Sequence, residues 1–106
     1  MRLGIYDATG PNGGPGVLKA QTAAFTPVLG WNTRVVTTPV SIPAGKYWLA
    51  YFPSSNNLQF PVERSYGSFK GAYLRFGPMP ATFPKVGLQG TTHWSFYGTL
   101  NGSVSF

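Results

Sequence analysis

The chain has 106 residues, and its eight basic and two acidic side chains give a net charge of +6. It contains no cysteine and one histidine. These counts exclude a disulfide scaffold and a structural zinc centre of cysteine and histidine. Charged residues are only 9% of the chain and hydrophobic residues 42%, which is unlike a disordered segment.

The basic residues are scattered, with no run or pair among them. Nucleic-acid binding usually requires basic side chains clustered on one face of the protein, so we expect no nucleic-acid partner. No segment approaches the roughly 20 apolar residues of a membrane span, and no signal peptide is recognisable. The sequence therefore predicts no membrane partner. We expect residues 1–106 to form a single module excised from a larger protein.

The first half of the chain alternates strand-like segments with turns rich in glycine and proline. Arg2–Asp7 predicts a strand, and the glycine-rich residues 8–16 form a loop by composition. Val17–Phe25 predicts the hairpin partner of that strand. A turn follows at Thr26–Gly30, and the next strand is predicted at Trp31–Thr38.

A turn at Pro43–Gly45 leads into the most regular strand, Lys46–Phe52. Its alternation places Tyr47, Leu49 and Tyr51 on one face, and Trp48, Ala50 and Phe52 on the other. Both faces are apolar, which predicts a strand between two layers, unless one of the faces meets a ligand instead.

The second half of the chain predicts strands at Leu58–Arg64, Phe69–Phe76 and Thr91–Leu100. A long proline-rich connection spans Gly77–Pro84, and Asn101–Phe106 either extends the last strand or trails from it. Seven or eight strands in a chain of this length predict an all-β fold. The expected form is a two-sheet antiparallel β-sandwich of Greek-key or jelly-roll type.

The sequence argues against an enzyme. The usual glycoside hydrolysis needs two carboxylates, and Asp7 and Glu63 lie in different predicted strands. His93 has no partner that spacing would bring to it. We expect no cofactor. The less favoured alternative is a structural calcium site formed by Asp7, Asn12 and loop carbonyls.

Aromatic residues make up 16% of the chain, more than a small core needs. Flat rings stack on the apolar faces of sugars, while polar side chains bond the sugar hydroxyls. Trp48 faces solvent if the opposite face of its strand is core. Trp94 more readily belongs to the core, and Trp31 is either a packed lid or a ligand contact. The predicted ligand-binding residues are Trp48, Trp94, Trp31, Tyr73, Tyr97, Arg75, Gln59, Glu63 and His93.

Several segments carry a resemblance that covers most of the chain: Leu3–Tyr6, Gly14–Leu18, Ala20–Thr22, Trp31–Thr33, Pro43–Tyr51 and His93–Tyr97. They resemble a β-sandwich carbohydrate-binding module of bacterial cellulases, in particular family 81 of those modules. The resemblance implies a secreted, noncatalytic module that binds β-1,4- and mixed-linked glucans and xyloglucan. It further implies plant cell-wall polysaccharide as partner and fusion to a glycoside hydrolase. The alternative is a structural or adhesive β-sandwich domain of a bacterial surface or phage protein.

Overall fold

The computed structural model describes residues 1–54, 62–63, 69–72, 74–91, 93–94, 97–99 and 103–105. Strands are the main regular elements of these residues, and a 3₁₀ turn at Pro11–Gly13 is the one helical element among them. Every strand pairing found is antiparallel, so the predicted all-β class is confirmed. The strands are β1 (Arg2–Asp7), β2 (Leu18–Gln21), β3 (Thr33–Val35), β4 (Tyr47–Phe52), β5 (Val62–Glu63), β6 (Phe69–Gly71), β7 (Leu88–Gly90), β8 (His93–Trp94), β9 (Tyr97–Thr99) and β10 (Ser103–Ser105).

The best-developed sheet has the strand order β2-β1-β4. The predicted hairpin of the first two strands is confirmed, with a register shift between Ile5 and Tyr6. β1 and β4 pair along their whole lengths, from Arg2 opposite Phe52 to Asp7 opposite Tyr47. Among the described residues, the middle of this sheet is therefore β1, with β4 beside it.

One face of this sheet packs on a small hydrophobic core. Leu3 is fully buried there, together with Met1 and Val36. Tyr51, from the face of β4 predicted to be core, packs against the same cluster. Burial raises the pKa of the Tyr51 hydroxyl, as expected for a phenol removed from water.

The opposite face is covered by the segment 77–83, which lies inside the predicted proline-rich connection. Tyr6 is buried there; its hydroxyl donates to the carbonyl oxygen of Pro80 at 2.6 Å, and its ring meets Phe83 edge to face. Met79 lies so close to Gly4 that a Cβ there would be 2.7 Å from the methionine sulfur. Burial raises the pKa of Tyr6 to about 12. Both faces of β1 are thus covered by protein.

The remaining described strands form three smaller sheets, with orders β3-β10-β9, β5-β8 and β6-β7. The predicted strand at Thr91–Leu100 is divided, since β8 pairs with β5 whereas β9 pairs with β10. β7 was not predicted from the sequence. It follows Gly87 and ends at Gly90, and glycine is a poor strand former, so it is a strand because it pairs with β6. The described residues include no helix long and apolar enough to cross a membrane.

The core makes a first prediction about stability. Leu3→Ala should lower the free energy of unfolding by about 2–5 kcal/mol, because it removes a fully buried side chain and leaves a cavity. Val35→Ala is the matched control, since Val35 is 71% exposed, and it should cost less than about 0.5 kcal/mol. Urea denaturation followed by circular dichroism measures both. Equal losses for the two variants would contradict this placement of the core.

Candidate functional site

The carboxylate of Asp7 fastens the two ends of the loop at residues 8–16. Its Oδ1 accepts hydrogen bonds from the Thr9 hydroxyl at 2.6 Å, from the Val17 amide at 2.8 Å and from the Thr9 amide at 3.3 Å. The ammonium of Lys19 lies 3.6 Å from Oδ2. These donors, the Thr9 hydroxyl foremost and then the Val17 amide, lower the pKa of Asp7. Asp7 therefore closes the loop.

Both oxygens of Asp7, the carboxylate that a calcium site would use as a ligand, already face donors: three surround Oδ1, and the Lys19 ammonium lies 3.6 Å from Oδ2. Asn12, the other side chain of the hypothetical calcium site, is exposed on the loop and has a left-handed backbone at φ 57°. Among the described residues, no three His, Cys, Asp or Glu side chains are gathered as metal ligands. The observed role of Asp7 is to shape the loop.

The loop itself is held by its own backbone. The amide of Gly10 donates to the Gly14 carbonyl at 2.9 Å, and the amide of Gly14 donates to Pro11 at 3.0 Å. Gly16 allows the close approach to Asp7, because a Cβ there would lie 2.2 Å from the Thr9 hydroxyl. The loop therefore presents the backbone of Asn12 and Gly13 in one defined arrangement.

Trp48 is the predicted site residue that this loop holds. It lies on β4 opposite Tyr6 and is half-buried. Its indole Nε1 donates a hydrogen bond to the carbonyl oxygen of Gly13 at 3.0 Å. Because the one polar atom of the side chain is bonded, the exposed part of the ring offers an apolar surface.

Polar side chains lie beside the same loop. The aliphatic chain of Lys70 packs against Gly14, since a Cβ on that glycine would be 3.2 Å from the lysine Cδ. The Lys70 ammonium donates to Oε1 of Gln89 at 3.1 Å, across the β6-β7 pair. We call this surface the Trp48 platform; it comprises Trp48, residues 12–14, Lys70 and Gln89.

Lys70 and Gln89 were missed by the sequence analysis. Their approach depends on the register of β6 against β7, in which the two residues are direct partners. β7 has no propensity signal of its own. No local pattern in the sequence connects either residue with Trp48 or with the glycine-rich loop.

Two other predicted site residues do not join the platform. Trp31 is 60% exposed. Its loop begins after Phe25, whose amide donates to the Met1 carbonyl, and ends before Arg34, whose guanidinium stacks on the Phe25 ring. That is the end of β1 remote from Asp7, roughly 17 Å away along the strand. Arg75 is exposed and precedes Phe76, whose ring packs on Phe52 opposite Arg2, also at the remote end.

For four predicted residues the structure gives backbone register only. Glu63 is the direct partner of His93, and Trp94 pairs with Val62. Tyr97 lies opposite Ser105. The predicted contacts of Gln59 and Tyr73 lie outside the described residues. Of the predicted ligand-binding set, Trp48 is thus the residue placed at the platform.

Comparisons with models of protein families, with curated proteins and with solved structures found no match to this chain. Function is therefore inferred from the chemistry of the platform. A ring held in place, with amide and ammonium groups at its side, can stack on an apolar surface and bond hydroxyl groups.

The lowered pKa of Asp7 makes a second prediction. A carboxylate whose pKa is lower in the folded state stabilises the fold above its unfolded pKa of about 4, and the contribution is lost as pH falls through the folded pKa. Asp7→Asn should therefore be less stable than the natural protein at neutral pH, and the difference should shrink in acid. Urea midpoints of both proteins across this range measure it. A difference that stays constant with pH would contradict the role given to the Asp7 charge.

Proposed function

We propose that this chain is a noncatalytic carbohydrate-binding module, built as a two-sheet β-sandwich, that recognises β-glucans. The observation that carries the proposal is the Trp48 ring, held by its bond to Gly13 while part of its surface remains exposed. β-1,4- and mixed-linked glucans and xyloglucan are the ligand class implied by the family resemblance. Stacking on such a chain needs a flat apolar ring and neither an acid pair nor a metal.

Because the Trp48 ring is already fixed in the free protein, ligand binding costs little side-chain entropy. An immobilised side chain has little rotamer freedom left to lose when a ligand arrives. The bond from Nε1 to Gly13 and the hydrogen-bonded loop beneath it perform that immobilisation before binding. Sugar binding at Trp48 therefore does not have to order the residue that supplies most of the contact.

The polar members of the platform suit sugar hydroxyls. The amides of Asn12 and Gln89 each offer a donor and an acceptor, and Lys70 offers donors. A hydroxyl group also both donates and accepts, so it can replace water at these positions without leaving a polar group unpaired. The platform thus combines stacking with hydrogen bonds to an uncharged ligand, so salt should affect its binding little.

In this proposal the module is secreted and attaches a fused glycoside hydrolase to plant cell-wall polysaccharide. Asp7 is the single carboxylate between residues 1 and 62, and its oxygens shape a loop. This use of Asp7 supports a binding role over a catalytic one, because it withdraws the carboxylate from acid–base work.

The third prediction tests the platform with soluble ligands. Trp48→Ala should weaken the binding of mixed-linked β-glucan or xyloglucan by about tenfold or more, because it removes the stacking ring. Trp48→Phe keeps a ring but loses the hydrogen bond to Gly13, so its affinity should lie between those of the natural protein and Trp48→Ala. Affinity electrophoresis and calorimetry measure binding, and circular dichroism checks the fold.

Trp31→Ala is the matched control, since it removes a tryptophan at the remote end of β1, and it should leave binding to soluble glucan unchanged. Absence of binding by the intact natural protein to both polysaccharides would overturn the proposed function. Equal losses for Trp31→Ala and Trp48→Ala would overturn the location of the site. Binding to single-stranded nucleic acid that falls steeply with salt would favour an electrostatic partner instead.

A further inference from the structure

The loop between Phe25 and Arg34 projects apolar side chains into solvent. Leu29 is fully exposed, Val28 is 64% exposed and Trp31 is 60% exposed. We call these three residues the apolar tip. Single exposed hydrophobic residues are common on proteins, but three within four positions of one loop concentrate apolar surface of the kind that contacts a partner.

Asn32 holds the tip in its outward shape. Its side chain is only 8% exposed, and its Oδ1 accepts a hydrogen bond from the Val28 amide at 2.8 Å. Its Nδ2 donates to the carbonyls of Val28 at 3.0 Å and Gly30 at 3.1 Å. Gly30 adopts a left-handed backbone at φ 88°. The exposure of Leu29 is therefore built into a closed, hydrogen-bonded turn.

The charged residue closest to the tip in the sequence is Arg34, and no acidic residue occurs between Asp7 and Glu63. Lys19 contacts Asp7, and Lys46 precedes Tyr47, the register partner of Asp7, so both lysines lie at the far end of β1. Arg34 lies three residues after Trp31, and its guanidinium stacks 4.4 Å from the centre of the Phe25 ring. The one carboxylate of this half of the chain, Asp7, lies at the far end of β1. The tip thus joins an apolar point to positive charge without a nearby acidic residue in the sequence.

We propose that the apolar tip inserts into the interface of an anionic lipid bilayer. Leu29 and Val28 would enter the boundary of the acyl chains, and Trp31 would lie at the level of the headgroups, where tryptophan is favoured. Arg34 would meet lipid phosphates, because basic groups are attracted to anionic leaflets. The branched aliphatic side chain at the summit suits hydrocarbon better than the flat face of a sugar.

The expectation of no membrane partner rested on the lack of a spanning segment and of a recognisable signal peptide. A loop that enters only the interface needs no span, and the fold supplies the apolar point that the sequence did not reveal. The tip and the Trp48 platform lie at opposite ends of β1, so both can be occupied at once. This inference does not depend on the proposed function.

The test is co-sedimentation of the whole chain with lipid vesicles. The protein should bind vesicles made from equal parts of phosphatidylcholine and phosphatidylglycerol. It should bind vesicles of phosphatidylcholine alone much more weakly. Leu29→Ser should weaken binding to the mixed vesicles by about tenfold. Leu88→Ser is the matched control: it changes a partly exposed leucine on β7, beside the platform, and should leave vesicle binding unchanged.

Brominated lipids give a second measurement. They should quench part of the tryptophan fluorescence, and Trp31→Phe should remove most of that quenching. Absence of binding to the mixed vesicles would overturn the proposal. Vesicle binding that salt abolishes and that Leu29→Ser leaves unchanged would also overturn it, because such binding is adsorption by charge alone. Self-association of the protein without lipid, if Leu29→Ser removes it, would overturn the proposal as well. Glucan binding by Leu29→Ser, measured in parallel, reports on the proposed function separately.

Discussion

The hydrogen bonds accepted by Asp7 are the interaction on which the candidate site depends. They join the end of β1 to the approach to β2 and close the intervening loop. That loop places the Gly13 carbonyl where the Trp48 indole can donate to it. Ordering a nine-residue loop rich in glycine costs conformational entropy, and the hydrogen bonds to the carboxylate offset part of that cost. One charged group thus determines the position of a ring on another strand.

The second constraint is the covering of both faces of β1 in the main sheet. Leu3 faces the hydrophobic core, while Tyr6 is sealed by Pro80 and Phe83. A broad binding face along β1 and β4 is therefore unavailable, and the exposed apolar groups lie at the ends of the strands. The binding surfaces proposed for the molecule are consequently loops supported by a buried sheet, which is a common arrangement in β-proteins.

The sequence was sufficient to predict the features set by local alternation and turn residues. The all-β class, the hairpin of the first two strands and the glycine-rich loop follow from such patterns. The strand at Tyr47–Phe52 was predicted within one residue of its first position. Trp48 was predicted to be accessible through its alternation with Tyr47 and Leu49, and it is half-buried.

What the sequence did not predict depends on contacts between distant residues. The cover at 77–83 contains two prolines and one glycine and no strand alternation, yet it forms backbone hydrogen bonds with Leu18 and Gly16 at the start of the hairpin. Lys70 meets Gln89 only because β7 forms against β6. Likewise, Trp31 and Trp48 have similar chemical character, but the register of β1 separates them. Of the predicted ligand-binding residues, Trp48 and Trp31 therefore lie at two ends of β1, each with its own chemistry: a ring beside amides and an ammonium at one end, and an aliphatic tip beside a guanidinium at the other.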